Sequence, residues 1–389
     1  MHRIDSVSAE PDTFGTGKDG YTEGDPSAGI PATATTDDWF NAVQEELCRP
    51  IEAFEGSLVK ADNHQLMRVL RFITGRLAGA NLTQVNATAA TYYGIAVRER
   101  VPGGITPYVV AAGASGAILV SLNGSGGWYA PSAAGGYTGT FYGAAWSPTL
   151  SQWCLVGTGG EIQTAGSTAS GWTKQTPAGG FSGTFRSVAW LEDTGLGTSY
   201  WIAVGDSGTI QTSADGVTWV ARTAGSSYAS TFRKVVCSEN LAVAAGDNGE
   251  IQTSSNGVGW TRRINDAGSL TGVAYDSVQG HWVVVGNSTT IYRSSDGTTW
   301  GSVVTSRDNS LITSYEDIVW SPSFGWVLAT TIGGGLGFAL DLINPTTPKT
   351  HWPGDLNVGD YVYAGMTADH RNIFMTTTSN DGIYRSLAF

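Results

Sequence analysis

The side chains with obvious chemical potential are carboxylates set in short glycine turns. Asp215 and Asp296 stand in SADGVTW and SSDGTTW, and Asn256 takes the same place in SSNGVGW. Ser and Asp in such turns hydrogen-bond their own backbone, and an Asn leaves the pattern undisturbed, so a structural role is expected. Glu192, Asp193, Glu316 and Asp317 could supply the carboxylate pair a glycosidase needs, but nothing selects two of them and they read as solvated loop acids. His2, His64, His281, His351 and His370 are scattered, and no metal site is expected. GGGLG from Gly333 lacks the strand–helix setting of a nucleotide loop and reads as a turn. No catalytic residue, metal ligand or cofactor is expected, and the chain is not expected to be an enzyme.

A second constellation points to binding. The segments PSAAGGYTGTF, PAGGFSGTF and TAGSSYASTF each place an aromatic four residues before a Phe, at Tyr137, Phe181 and Tyr228. Polar turns at Asp206, Asp247, Asn248 and Asn287 recur at a similar interval. Aromatics on small-residue loops beside polar turns give a ligand a flat apolar platform and hydrogen-bond groups. These seven residues are the candidate binding set, for a glycan or protein ligand. The alternative is that the aromatics fold inward and plug the hub. Longer inserts at residues 98–106 and 192–199 leave the opposite face and are second candidates.

Elements that would carry these groups repeat. GDSGTIQTSADGVTW from Gly205 recurs from Gly157, Gly246 and Gly286, more weakly from Gly113, and in degenerate form near Thr330 and Thr377. The steps of 40 to 48 residues fit a four-stranded propeller blade. An apolar marker precedes each copy, in FYGAAW, FRSVAW, FRKVVC, LTGVAY, YEDIVW, YVYAGM (from Tyr361) and YYGIAV (from Tyr92). Seven markers predict seven blades. In each, the marker run is the inner strand, the run ending in Gly is the second, the alternating segment is the third, and the outer strand starts at a Trp. That Trp, 14 or 15 residues after the Gly at Trp128, Trp172, Trp219, Trp260 and Trp300, is expected to pack between neighbouring blades. The chain is therefore read as mainly β, a seven-bladed β-propeller over residues 85–389. A strand from near Val85 could complete the last blade and close the ring, removing two exposed edges.

Composition agrees. Fifty-three glycines, 14 tryptophans and only 14% charged residues fit a turn-rich all-β body. A net charge of -12 argues against nucleic acid as a partner. Three well-separated cysteines (Cys48, Cys154, Cys237) make no disulfide framework, as in a chain folded in a reducing cytoplasm. No signal peptide or apolar run long enough to insert in a membrane is read.

Residues 1–35 read as an extended arm. Residues 36–84 read as a small helical region of two amphipathic helices. The first carries Trp39, Phe40, Val43, Leu47, Ile51 and Phe54 on one face, with Pro50 expected to kink or end it unless it opens a short second piece. The second, capped by Asp62, carries Leu66, Val69, Leu70, Ile73 and Leu77. Such stripes need covering, by each other, by the propeller or by further chains, and self-association is expected.

The string DGYTEGDPSAGIPATATTDDWFNAVQEELCRPIE, followed by KADNHQL, closely resembles the N-terminal module of bacteriophage tail fibre and tail-associated proteins. It departs from that pattern at Cys48-Arg49-Pro50 and over residues 54–60. The resemblance implies a virion component, often trimeric, whose N-terminal part attaches to tail or baseplate proteins. Tyr21, Trp39, Phe40, Val43, Leu47, Leu66, Leu70 and Ile73 are the attachment and oligomerisation candidates. The propeller would face the host receptor. The blades resemble BNR or Asp-box propellers and photosystem-assembly-factor-like propellers, which speaks to fold and little to function. A sialidase of that kind would need an arginine cluster and a Tyr–Glu pair. Arg186 and Arg233 fall at equivalent places just after the marker Phe, but no Glu recurs with them beside a Tyr.

Overall fold

The computed structural model describes residues 25–33, 37–55, 83–87, 90–98, 108–122, 126–192, 199–266, 268–287, 290–304, 315–321, 325–330, 336–339, 350–351, 363–368, 372–377 and 382–387. The chain divides into two compact units, Met1–Thr74 and Gly75–Phe389.

The second unit is mainly β. Its described residues form seven four-stranded antiparallel sheets, six of them in simple chain order. The innermost strands are Tyr92–Arg98, Phe141–Ser147, Phe185–Leu191, Phe232–Cys237, Leu270–Asp276, Tyr315–Ser321 and Tyr363–Ala368. Each neighbours the next along the chain, and the seventh neighbours the first. This is a propeller-like arrangement. The seventh sheet draws its fourth strand from the other end of the unit: Thr83–Ala87 pairs antiparallel with Gly382–Leu387, Thr83 opposite Arg385 and Ala87 opposite Gly382. Both edges of the Gly382–Leu387 strand are thereby paired.

Continuous apolar runs set where the core lies. Second strands such as Trp201, Ile202, Ala203 and Val204 are wholly buried because neighbouring sheets cover both faces. The core is divided into clusters between sheets rather than centred. Val156, Ile162, Phe185, Val188, Trp201 and Trp219 join the second and third sheets. Ile202, Val204, Phe232, Val235 and Trp260 join the third and fourth. Trp172 packs with Ala96 and Val110 of the first sheet. The recurrent Trp does sit between neighbouring sheets, as its spacing predicts.

Every inner strand carries a register shift just after its marker, as between Phe185 and Ser187 and between Phe232 and Lys234. The same shift follows Tyr92, Phe141, Leu270, Tyr315 and Tyr363. The seventh marker is therefore Tyr363, not Tyr361. Two tyrosines in one apolar run made the reading ambiguous, and the pairing of Tyr363 with Thr377 resolves it.

In the first unit, residues 37–55 form one α-helix, Asp37–Glu55. It runs through Pro50, which was expected to kink or end it. Phe40 and Leu47 are exposed, Val43 is half-buried, and Trp39 lies on the same helix. Arg49 pairs with Glu45 one turn earlier at 3.2 Å, both exposed. Within the segment expected to be extended, Asp25 and Ile30 close a small turn. The Asp25 carboxylate accepts from the Ser27 N–H (2.9 Å) and the Ala28 N–H (3.2 Å). Tyr21, Leu66, Leu70, Ile73 and the expected second helix lie outside the described residues.

Candidate functional site

The Gly-Asp-x-Gly turns are built by backbone necessity. Ser207 and Gly208 both have positive φ (57° and 68°), as do Asn248 and Gly249 (60° and 62°). Such tight connections suit the twist of the flanking strands. The glycine is also fixed by its neighbour: the Gly208 N–H donates to Ser230 O at 2.6 Å, and a Cβ there would lie 2.1 Å from Tyr228 O. The turns therefore sit under the loops that enter the following sheet. The sequence-predicted turn residues and loop aromatics share one end of the sheets.

The loop aromatics are anchored there. Tyr137, Phe181 and Tyr228 stack on Phe141, Phe185 and Phe232 with centroids 4.7, 4.7 and 4.6 Å apart. The Tyr137 hydroxyl lies 2.8 Å from Thr158 Oγ1, and the Tyr228 hydroxyl donates to Thr231 O and Asp247 O, both at 2.9 Å. Burial pushes both phenols above their usual range. Tyr228 is buried, and Tyr137 and Phe181 are half-buried. All three rings thus pack against the marker Phe residues of the innermost strands.

A clamp that the sequence did not reveal holds the same loops. Gln211 Oε1 accepts from the Ala178 N–H at 2.8 Å, and its Nε2 donates to Ala178 O at 3.1 Å. Gln163 grips Ala134 and Gln252 grips Gly225 in the same two-bond fashion. The recurrence of Gln in IQT was its signal.

The turn acids are also engaged. Asp206 accepts from Arg186 Nε at 3.0 Å and from Thr231 Oγ1 of the next sheet at 3.4 Å. Asp247 holds Arg233 through two bonds and accepts from Ser269 Oγ at 2.6 Å. Burial works to raise the Asp247 carboxyl, but these bonds outweigh it and leave it below the usual range. Asn248 Nδ2 donates to Ser230 Oγ (2.9 Å), and Asn287 Oδ1 accepts from the Ser269 N–H (2.8 Å).

The register shift places one extra residue in each inner strand, and a bulge of this kind re-aims a side chain. Six of the seven bulged residues are Tyr93, Tyr142, Arg186, Arg233, Thr271 and Glu316. They occupy equivalent positions in consecutive sheets, at the turn-bearing end. The Tyr93 and Tyr142 rings are 5.3 Å apart, and the Arg186 guanidinium stacks 4.9 Å from the Tyr142 centroid. Thr271 Oγ1 donates to Tyr315 O at 2.9 Å. Burial, aided by Asp317, pushes the Glu316 carboxyl above its usual range, with Arg233 acting against it. Next to these, Lys234 Nζ reaches Asp317 at 2.8 Å, linking the fourth and sixth sheets. Glu316, read from the sequence as a loop acid, thus stands in a strand at the same position as the arginines, following its own marker, Tyr315.

Asp215 and Asp296 serve their own turns. Asp215 accepts from the Thr218 N–H (2.7 Å) and Val217 N–H (2.8 Å), and Asp296 from Thr298 and Thr299, both at 2.7 Å. Asn256 does the same for Val258 and Gly259. Among the described residues, no group of three His, Cys, Asp or Glu is placed to hold a metal, and no helix is long and apolar enough to cross a membrane.

No family model matches the chain. Uncharacterized protein StfP of Escherichia coli K12 is 51% identical over 71 residues, which cover 18% of this chain and 34% of StfP. The match thus spans about a third of that relative. Among solved structures, YCF48 bound to D1 peptide aligns over 79% of this chain and 96% of its own, with TM-score 0.59 and 15% identity. YCF48 from Cyanidioschyzon merolae aligns over 78% and 98%, with TM-score 0.57 and 13% identity. These two likenesses concern the fold alone and support a propeller-like body.

Proposed function

We propose that this chain is a virion tail component of a bacteriophage, a tail fibre or tail-associated receptor-binding protein. The observation that carries this reading is the arm-and-helix string ending in WFNAVQEELCRPIE, joined to a propeller-like body. The short, high-identity match to StfP supports a module shared between otherwise different chains. The N-terminal region attaches to tail or baseplate proteins and assembles the chain as a homotrimer. The Asp37–Glu55 helix, which exposes Phe40 and Leu47, suits that role. The seven sheets close as a seven-bladed β-propeller, with residues 83–87 completing the last blade, and this body faces a glycan or protein on the host surface. The chain works by binding, without catalysis, cofactor, nucleic acid or membrane insertion.

The test is competition. Full-length protein added to host cells should bind them and reduce adsorption of the virus that carries it. Binding without competition, or no binding, would remove the receptor role.

A second reading is favoured by one observation. Asp206, Asp247, Asn248, Asn287, Tyr137 and Tyr228 all make bonds within the chain. A baseplate or fibre-connector subunit, whose propeller only braces other parts, would need no more.

A further inference from the structure

Tyrosines at the turn-bearing end fall into two groups. Those that pack have their hydroxyls tied to the chain: Tyr137 to Thr158, Tyr228 to Asp247, and Tyr292 to Asp266 at 2.7 Å. Tyr93 and Tyr142 differ. Both are half-buried, both belong to none of the apolar clusters, and among the described residues neither hydroxyl bonds to the chain. Both are bulged residues, re-aimed out of the ladder.

We propose that the ring of bulged residues Tyr93, Tyr142, Arg186, Arg233, Thr271 and Glu316 is a saccharide-binding site that takes an uncharged sugar unit. This rests on the receptor-binding reading and gives that receptor a chemical class. Two adjoining aromatic rings provide the platform on which the C–H face of a sugar packs. The flanking residues supply both donors and acceptors, as sugar hydroxyls require. Arg186 spends its Nε on Asp206, and its terminal N–H groups are not engaged among the described residues. Arg186 is about one-third exposed (33%) and Arg233 rather more (41%).

Charge decides against an acidic ligand. Each basic group here already has its carboxylate: Arg186 with Asp206, Arg233 with Asp247, and Lys234 with Asp317. Glu316 adds a further acid, and the whole chain carries -12. An anionic sugar would meet no net positive field.

The test uses the full-length chain. The probes are neutral oligosaccharides ending in hexose or N-acetylhexosamine, with sialylated counterparts as acidic probes, followed by calorimetry. One or more neutral probes should bind, with affinity changing less than about twofold between about 50 and about 500 mM salt. Tyr142→Phe should weaken binding several-fold through the lost hydroxyl, and Tyr142→Ala by about tenfold or more. The Phe variant keeps the ring beside Tyr93 and Arg186, so it is readable if the Ala variant fails to fold. Binding confined to acidic probes, no binding at all, or neutral binding unchanged in both Tyr93→Phe and Tyr142→Phe would each overturn the proposal. Adsorption separates it from the broader role. If wild type and Tyr142→Phe block the virus equally, the receptor role stands and this site is removed. If wild type binds sugar yet never blocks adsorption, the site stands and the receptor role is removed.

Discussion

Gly208 illustrates how single residues fix the turn-bearing end. Its φ of +68° and the approach of Tyr228 O leave no room for a Cβ. Gly208→Ala should cost about 2–3 kcal/mol, read as a lower denaturation midpoint with unchanged slope. Gln211→Leu should cost about 1–3 kcal/mol, because the Ala178 N–H and C=O are left without their partner. The turn acids give a pH signature. Backbone N–H groups, Thr218 foremost at Asp215 and Thr299 at Asp296, hold both carboxyls below their usual range. A depressed carboxyl stabilises the fold above the unfolded-state value, and that contribution is lost as pH falls through the folded value. Unfolding midpoints should therefore drop below about pH 4, and part of that slope should vanish in an Asp215→Asn, Asp296→Asn double variant. Asn256 shows that an amide satisfies the same turn. This was legible in SADG and SSNG, because the bonds are local and the residue type announces them. The Gln–loop clamp was not, since its partner lies about thirty residues away and Gln has no turn preference of its own.

At the scale of elements, the repeat was legible because each sheet uses the same order of markers, turns and Trp. Period carried more information than any one residue. The inner-strand bulge was not legible: an extra residue leaves no mark in an apolar run, and in YVYAGM nothing but the pairing distinguishes Tyr361 from Tyr363 as the marker. Arg186 and Arg233 can be seen as equivalent in the sequence, whereas Glu316 reads only as one of four unselected acids, because its marker is Tyr rather than Phe. The strand expected from near Val85 is the one that pairs with Gly382–Leu387. Its importance can be measured. A chain starting at residue 75 should unfold as the intact second unit does. A chain starting at residue 88 should expose the Gly382–Leu387 edge and aggregate, or melt at lower temperature. Trp219 packs with Ile162 and Trp201 between the second and third sheets, and Trp219→Ala should cost about 3–5 kcal/mol.

Across the whole molecule, a repeated body gives breadth and its irregularities give individuality. The sheets share turns, clamps and Trp wedges, so those features mostly stabilise. The bulged positions vary in type: in six consecutive sheets they are two tyrosines, two arginines, a threonine and a glutamate. Such variation at structurally equivalent places marks the region where a propeller-like scaffold is free to specialise. The N-terminal unit carries the rest of the meaning, because its string is the part that resembles tail proteins, whereas the blades speak to fold. The account therefore stands on where the chain resides. A cryo-electron microscopy map of the intact virus is the direct measurement. It should show residues 1–80 in contact with tail or baseplate subunits, and the seven-sheet body projecting with its turn-bearing end uncovered. A particle without this chain, or one whose map places the N-terminal residues away from every tail subunit, would contradict it.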